Sequence, residues 1–287
     1  MPETSQPTPS SAVALTTLAL ICFAANSLFA RAALRSAEID PASYTAIRLA
    51  SGALVLWLIV RLRHVPAAER RAGSWGSAAA LALYAAPFSL AYVALPTGTG
   101  ALILFGIVQL TMIGSGMING IRPTPLEWTG LALAFGGLVL LVLPGIETPD
   151  AVSALLMAIA GVAWGLYSLR GRGVANPIAA TADNFLRSVP MAAVVMLAML
   201  PWAHATPTGV LLACGSGAIA SGVGYSIWYL ALRSLTPTRA AIVQLSVPVL
   251  AAIAGVILLS EVATSRLVIA GGAIVGGIGV AILGRRR

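Results

Sequence analysis

The chain has 287 residues, of which only 9% are charged and 59% hydrophobic, with 29 glycines and a mean hydropathy of +0.93. An ordinary soluble domain carries about 25% charged residues, so this composition excludes one and points to a polytopic membrane protein. The net charge of +8 rests on 17 arginines and no lysine; because they lie between apolar runs, they argue for membrane orientation and against a nucleic-acid partner.

Residues 1–11, MPETSQPTPSS, form a polar tail expected to be disordered and cytoplasmic. It has no positive charge ahead of the first apolar run, so no secretory signal is expected. Ten apolar runs follow, at about 12–34, 41–60, 74–95, 99–121, 125–144, 150–170, 178–200, 207–232, 238–260 and 264–284. Each approaches the ~20 residues that a helix needs to span a bilayer. A barrel would show short alternating segments instead, so the fold class is an all-α membrane protein with ten transmembrane helices. Proline, glycine or charge marks most of the gaps, which are too short to hold a soluble domain.

Twelve arginines fall in the segments 2–3, 4–5, 6–7 and 8–9 and at the C-terminus, against Arg31, Arg35 and Arg266 on the other side. By the positive-inside rule both termini are expected in the cytoplasm, across the inner membrane of the cell. The acidic segment from Glu147 to Asp150 then lies outside.

Two halves of the chain resemble each other. "AANSLFAR" (24–31) parallels "AWGLYSLR" (163–170), and "YTAIRLAS" parallels "DNFLRSV", so that Arg48 and Arg187 share the same separation of 139 residues. Tyr92 with Tyr229 and Gln109 with Gln244 recur at 137 and 135. Five helices per half, 12–146 and 147–287, make the second half enter the membrane with reversed polarity. Two inverted five-helix repeats around a central cavity are a physical route to alternating access.

Few polar or aromatic residues lie within the spans. Asn26, Tyr84, Phe88, Phe105, Gln109, Trp164, Tyr167, Tyr225, Trp228, Gln244 and Ser246 are the candidate cavity lining, by type, depth and repeat symmetry. Tyr225, Trp228 and Tyr229 share one helix face at i, i+3, i+4, and Tyr84, Phe88 and Tyr92 form a stripe at i, i+4, i+8. Hydroxyls and an indole N–H inside a bilayer need partners, and aromatic faces suit planar or cationic organic substrates. Tyr44, Arg48, Asp183, Arg187 and Pro248 are candidate gating or structural residues. Asp183 and Arg187 can pair on one helix face, and inversion places Arg48 and Arg187 near opposite mouths of one pathway. Glycines in helix 8, Pro87 and Pro248 can bend helices beside a cavity. Gly130 and Gly136, and Gly272 with Gly276 at GxxxG spacing, suit close helix packing.

Cys22 and Cys214 lack metal-ligand spacing and read as core residues. HExxH, a P-loop and paired-cysteine sites are missing, so no enzyme, metal or cofactor is expected. Of nine acids only Asp183 sits inside a span. That scarcity favours passive facilitation over a proton-coupled antiporter working through Asp183. A scaffold or membrane enzyme has no nucleophile–base pair to support it.

The closing stretch "YLALRSLTPTRAAIVQLSVPVLAAIAGVILLSE" resembles the drug/metabolite transporter superfamily in its EamA-type branch. The residues that carry this are Ala231, Leu232, Thr236, Pro237, Ala240, Pro248, Val249, Gly255, Leu259 and Glu261. The first half departs from it: Gln109 stands near the proline position and "NGIRP" replaces the acidic ending. The resemblance covers about 12–284 and implies a solute exporter whose cavity is lined mainly by helices other than 5 and 10. "TGTGALILFGIVQLTMI" and the aromatic stripes look like the YddG-type exporters of aromatic amino acids, which also handle flat cations. The implied partners are amino acids, related flat compounds and the lipid bilayer, with the protein a monomer.

Overall fold

The computed structural model describes residues 9–120, 123–143, 149–171, 174–235 and 237–284. Residues 1–8 of the expected tail, Arg122, Glu147, Arg172, Thr236 and the terminal arginines lie outside the described residues. The helices are α1 (Pro9–Arg35), α2 (Pro41–Leu62), α3 (Trp75–Ala91), α4 (Thr97–Ile118), α5 (Pro125–Val142), α6 (Ala151–Arg170) and α7 (Pro177–Ala198). There follow α8 (Pro207–Cys214), α9 (Gly224–Ala231), α10 (Pro237–Gln244), α11 (Ser246–Leu259) and α12 (Ser265–Gly284). A π-helical segment, Gly215–Val223, joins α8 to α9.

The helix starts share one chemistry. Asp40, Ser74, Thr124, Asp150, Asn176 and Thr206 each turn a side-chain oxygen to a first-turn N–H. Proline occupies the first turn at Pro41, Pro125, Pro177 and Pro207, where its missing N–H costs nothing. Such caps satisfy the orphan donors where water is scarce. Thr124 and Glu127 complete a capping box.

Among the described residues, eight helical stretches are long and apolar enough to cross a membrane. α3, with 17 residues, is shorter, and α7 carries Asp183, Asn184 and Arg187 within it. The outer surface is apolar: Val13 is 67% exposed, Leu155 63% and Ile257 71%. In water so much contiguous apolar surface would drive association; lipid is its solvent. The chain is therefore an all-helical, multi-pass membrane protein, with no strand among the described residues.

Two long runs are interrupted. The expected helix over 207–232 changes from α to π winding and back. The expected helix over 238–260 breaks at Leu245, between α10 and α11. Pro248 explains the second break, since it cannot donate to the carbonyl four residues earlier, that of Gln244.

The strongest packing pairs α5 with α12, α2 with α7, and α3 with α6. α1 packs against α9, the π segment and α11, and α4 against α6 and α11. At the α5–α12 contact a Cβ on Gly277 would lie 2.6 Å from the Gly130 carbonyl oxygen, and one on Gly130 would strike the Gly277 carbonyl. Gly137 is similarly closed, 2.9 Å from the Ala270 carbonyl oxygen. Gly136, Gly272 and Gly276 have nothing within 4 Å. The close approach therefore uses Gly130, Gly137 and Gly277, not the GxxxG pair the sequence suggested.

Candidate functional site

A cavity of about 950 Å³ lies among α1, α3, α4, α6, α7, the π segment, α9 and α10. Nine of the eleven expected lining residues are on its wall: Asn26, Tyr84, Phe105, Gln109, Trp164, Tyr167, Tyr225, Trp228 and Gln244. Among the described residues, α5 and α12 touch it only through Glu127, Ala281 and Ile282.

Aromatic rings dominate one wall. The Trp164 ring centroid is 5.2 Å from that of Tyr167 and 5.4 Å from that of Tyr225, with interplanar angles of 23° and 21°. Tyr84 tilts against the same indole at 4.9 Å. Phe23 bridges Tyr225 and Trp228 at 5.6 and 5.7 Å. These residues come from α1, α3, α6 and α9, so only the folded bundle assembles the column. Such contacts add about 0.5–1.5 kcal/mol per pair beyond area burial and hold the rings in fixed positions.

Polar atoms on the wall are held by one another. Asn26 Nδ2 donates to Tyr84 Oη at 3.1 Å, and Ser216 Oγ donates to Asn26 Oδ1 at 2.6 Å. Thr181 Oγ1 and Tyr229 Oη share a hydrogen bond of 3.0 Å. Asn184 accepts from the Ser74 N–H at 2.9 Å, which ties α7 to the start of α3.

The remaining expected residues sit elsewhere. Phe88 is wholly buried behind the wall, 5.3 Å from Tyr84 and 4.7 Å from Tyr92 between ring centroids. Ser246 donates to the Val243 carbonyl at 2.6 Å beside the α10–α11 break and is not on the wall. Each falls on a helix face turned away from the cavity, which residue type alone does not reveal. Tyr44 and Arg48 are buried, at 0% and 1% exposure, and Pro248 is buried in α11. Asp183 Oδ2 accepts from Arg187 Nη2 at 3.0 Å and from the Gly73 N–H at 3.0 Å. Arg187 also stacks over Trp75, 5.3 Å from its centroid.

The two ends of the bundle differ. The cavity reaches the α2–α3 and α6–α7 connections, with Ala72, Gly73, Ser74, Gly171, Val174 and Pro177 on its wall. The opposite end is fastened across the bundle. Arg31 Nε pairs with Glu261 Oε1 at 3.2 Å, and Arg31 Nη1 donates to the Tyr92 and Val93 carbonyls. Both Glu261 oxygens accept from the Thr97 N–H. Beside this clasp, the α1–α2 connection meets the α7–α8 connection: Ile39 bridges Ala205, Asp40 Oδ2 accepts from the His204 N–H at 3.0 Å, and Thr206 N–H donates to Glu38 O at 2.7 Å. Thr206 Oγ1 also donates to the Glu38 carboxylate.

Burial alone would raise the Asp40 carboxyl, but hydrogen bonds from Ser43, His204 and Ala42 outweigh it and hold it below its ordinary value. A depressed carboxyl stabilises the fold above its unfolded value, about 3.9, and that stability is lost as pH falls through the folded value. The thermal midpoint in detergent is therefore expected to fall more steeply below about pH 4 for the native chain than for Asp40→Asn. Equal slopes would show that this clasp carries no pH-linked stability.

Sequence reasoning did not select Phe23, Ser77, Thr181, Asn184, Ser221 or Tyr229 for the wall. Tyr229 was legible as one member of the i, i+3, i+4 face with Tyr225 and Trp228. The small hydroxyl residues carry no signal that separates a cavity wall from helix packing.

A multi-pass helical bundle with a lipid-facing exterior thus encloses a large mixed polar and aromatic cavity, clasped at one end and reached from the other. Residues 151–283 match the EamA-like transporter family. The chain is 49% identical over 271 residues to an uncharacterised protein of Pseudomonas aeruginosa, covering 94% of each. It is 26% identical over 215 residues to an uncharacterised transporter of Archaeoglobus fulgidus, covering 72% of this chain and 75% of that one. A crystal structure aligns with TM-score 0.69 over 98% of this chain and 100% of that one; at 21% identity the likeness is one of fold. The similarity to the EamA-like transporter family thus extends over the second half of the chain, residues 151–283.

Proposed function

We propose that this chain is a facilitator that exports aromatic and other neutral amino acids across the inner membrane by alternating access. The observation that carries the substrate class is the Tyr167–Trp164–Tyr225 column facing a cavity that holds amide and hydroxyl groups, Asn26, Gln109 and Gln244 among them. Apolar rings suit the side chain, and the neutral polar groups suit a zwitterionic backbone.

Ten crossings fit this reading. α3 exposes Leu83 and Leu90, and α7 exposes Leu186, Val194 and Leu197, while Asp183, Asn184 and Ser188 on α7 are buried. Reciprocal packing supports inverted repeats of 12–146 and 147–287: α2 with α7 and α5 with α12 pair equivalent helices, and α3 on α6 mirrors the α8–α9 rod on α1. The arginine bias then makes the cavity mouth cytoplasmic and the clasped end external.

The competing reading is proton-coupled exchange through Asp183. Its carboxylate is committed to Arg187 and the Gly73 N–H, which suits a fastening between α7 and the α2–α3 connection better than a proton carrier. In proteoliposomes the purified chain is expected to take up labelled phenylalanine above protein-free vesicles, to equal internal and external concentrations, with or without a pH gradient. No uptake by monodisperse protein would refute the export reading. Gradient-driven accumulation that Asp183→Asn removes would replace facilitation with coupling.

A further inference from the structure

Arg48 is a guanidinium in the centre of the bundle, 1% exposed, with no carboxylate paired to it among the described residues. Its Nη2 donates to Tyr84 Oη at 2.9 Å, whereas Nε and Nη1 have no hydrogen-bond partner. Two π faces lie against it, with the guanidinium carbon 5.0 Å from the Tyr84 centroid and 4.7 Å from that of Phe88. Cation–π contact offsets only part of what a desolvated charge costs.

The second half of the chain shows what is missing. Arg187, 139 residues later, has Asp183 four residues before it and pairs with it. Four residues before Arg48 stands Tyr44, again 139 residues before Asp183, a neutral phenol in place of a carboxylate. The first half retains the arginine without the acid, so one positive charge remains uncompensated beside the cavity.

Tyr84 carries that charge to the wall. Its hydroxyl oxygen accepts from the cationic Arg48 and from Asn26 at 3.1 Å. Both lone-pair directions are then occupied, and the phenolic O–H is left to donate. A phenol that accepts from a guanidinium is polarised into a stronger donor, and Tyr84 lines the cavity.

We infer that Arg48, relayed through Tyr84 and oriented by Asn26, forms a carboxylate-recognition site in the cavity wall. It would select substrates that bear an anionic carboxylate and disfavour purely cationic flat compounds. The inference deepens the export reading, because the α-carboxylate of an amino acid is such a group. It also stands for any aromatic acid that fits the cavity.

The test compares phenylacetate with phenylacetamide, which differ only in that group and lack an amine. By equilibrium binding to the full chain in detergent, phenylacetate is expected to bind at least about tenfold more tightly, as a charge-assisted hydrogen bond warrants. Arg48→Gln should abolish the preference. Tyr84→Phe, which keeps the ring over Arg48 and serves if the first variant does not fold, should reduce it several-fold. Equal binding of the two probes, no binding of phenylacetate, or a preference intact in Tyr84→Phe would overturn the inference. Phenylalanine uptake is read separately. Uptake without a carboxylate preference sinks this site alone, and a preference without uptake sinks the export reading alone.

Discussion

Replacing Gly217 by alanine is expected to cost about 3 kcal/mol, the upper end of the range for overpacking, and to lower the yield of folded protein sharply. The reason is backbone against backbone. A Cβ at Gly217 would collide with the Arg48 carbonyl oxygen and with Ser51 Oγ, and would lie 2.9 Å from the Arg48 carbonyl carbon. Ser51 already donates to that carbonyl at 3.2 Å, so neither atom is the free end of a flexible chain. Across the same contact Gly52 would place a Cβ 3.1 Å from the Gly217 carbonyl oxygen and 2.7 Å from the buried Phe185 ring. α2 and the π segment thus meet where both lack side chains, and the meeting point is the residue whose guanidinium lies beside the cavity.

The control is Gly276→Ala. Nothing stands within 4 Å of the new methyl group, and alanine is the better helix residue by about 0.5–1 kcal/mol. It is expected to be neutral or stabilising. Thermal midpoints of the two variants in one detergent decide the matter: similar losses would mean that glycine acts here through chain entropy, not through close approach.

Much of this architecture could be read in the sequence, for physical reasons that do not depend on tertiary context. The hydrocarbon core imposes its length on every span, and caps or prolines must sit where the spans end. So α2, α6 and α12 begin and end within a few residues of expectation. Residue type also separated Trp164, Tyr167 and Gln109 from the apolar background. What escaped depends on rotation about the helix axis. Phe88 and Tyr84 are one turn apart on α3, yet only Tyr84 is on the cavity wall, because the stripe drifts around the helix. The π winding escaped too. Gly215, Gly217, Gly222 and Gly224 marked a pliable stretch, but nothing local distinguishes a bend from i→i+5 winding pressed against α2. Arg48 was expected near a mouth by analogy with Arg187. That analogy does not reveal its burial, which comes from the rings of Tyr84 and Phe88 that close over it.

Glu261→Leu is expected to be the most damaging substitution at the clasped end. The Glu261 side chain is 8% exposed, and it serves Arg31 and the Thr97 N–H at once. Leucine leaves a nearly buried guanidinium without its counter-ion, a loss of about 3–5 kcal/mol, and orphans the first N–H of α4 as well. Glu261→Gln separates these effects, because its amide oxygen can still accept from Thr97 while the charge is gone. It should cost less than Glu261→Leu by roughly the 1–3 kcal/mol of an unsatisfied buried donor. Adding Arg31→Met to Glu261→Gln removes the stranded cation and should recover most of the remaining loss. The quantity to measure is the coupling in this double-mutant cycle, from reversible unfolding in mixed micelles. A coupling near zero would mean that Arg31 is held by the Tyr92 and Val93 carbonyls alone. A coupling of about 1–3 kcal/mol would identify the ion pair as the fastening between the α1–α3 side and the α11–α12 connection. In that case the same variants should open this end more often, and cysteines placed at the buried Ala30 and Ala91 should then react faster with a membrane-impermeant thiol reagent.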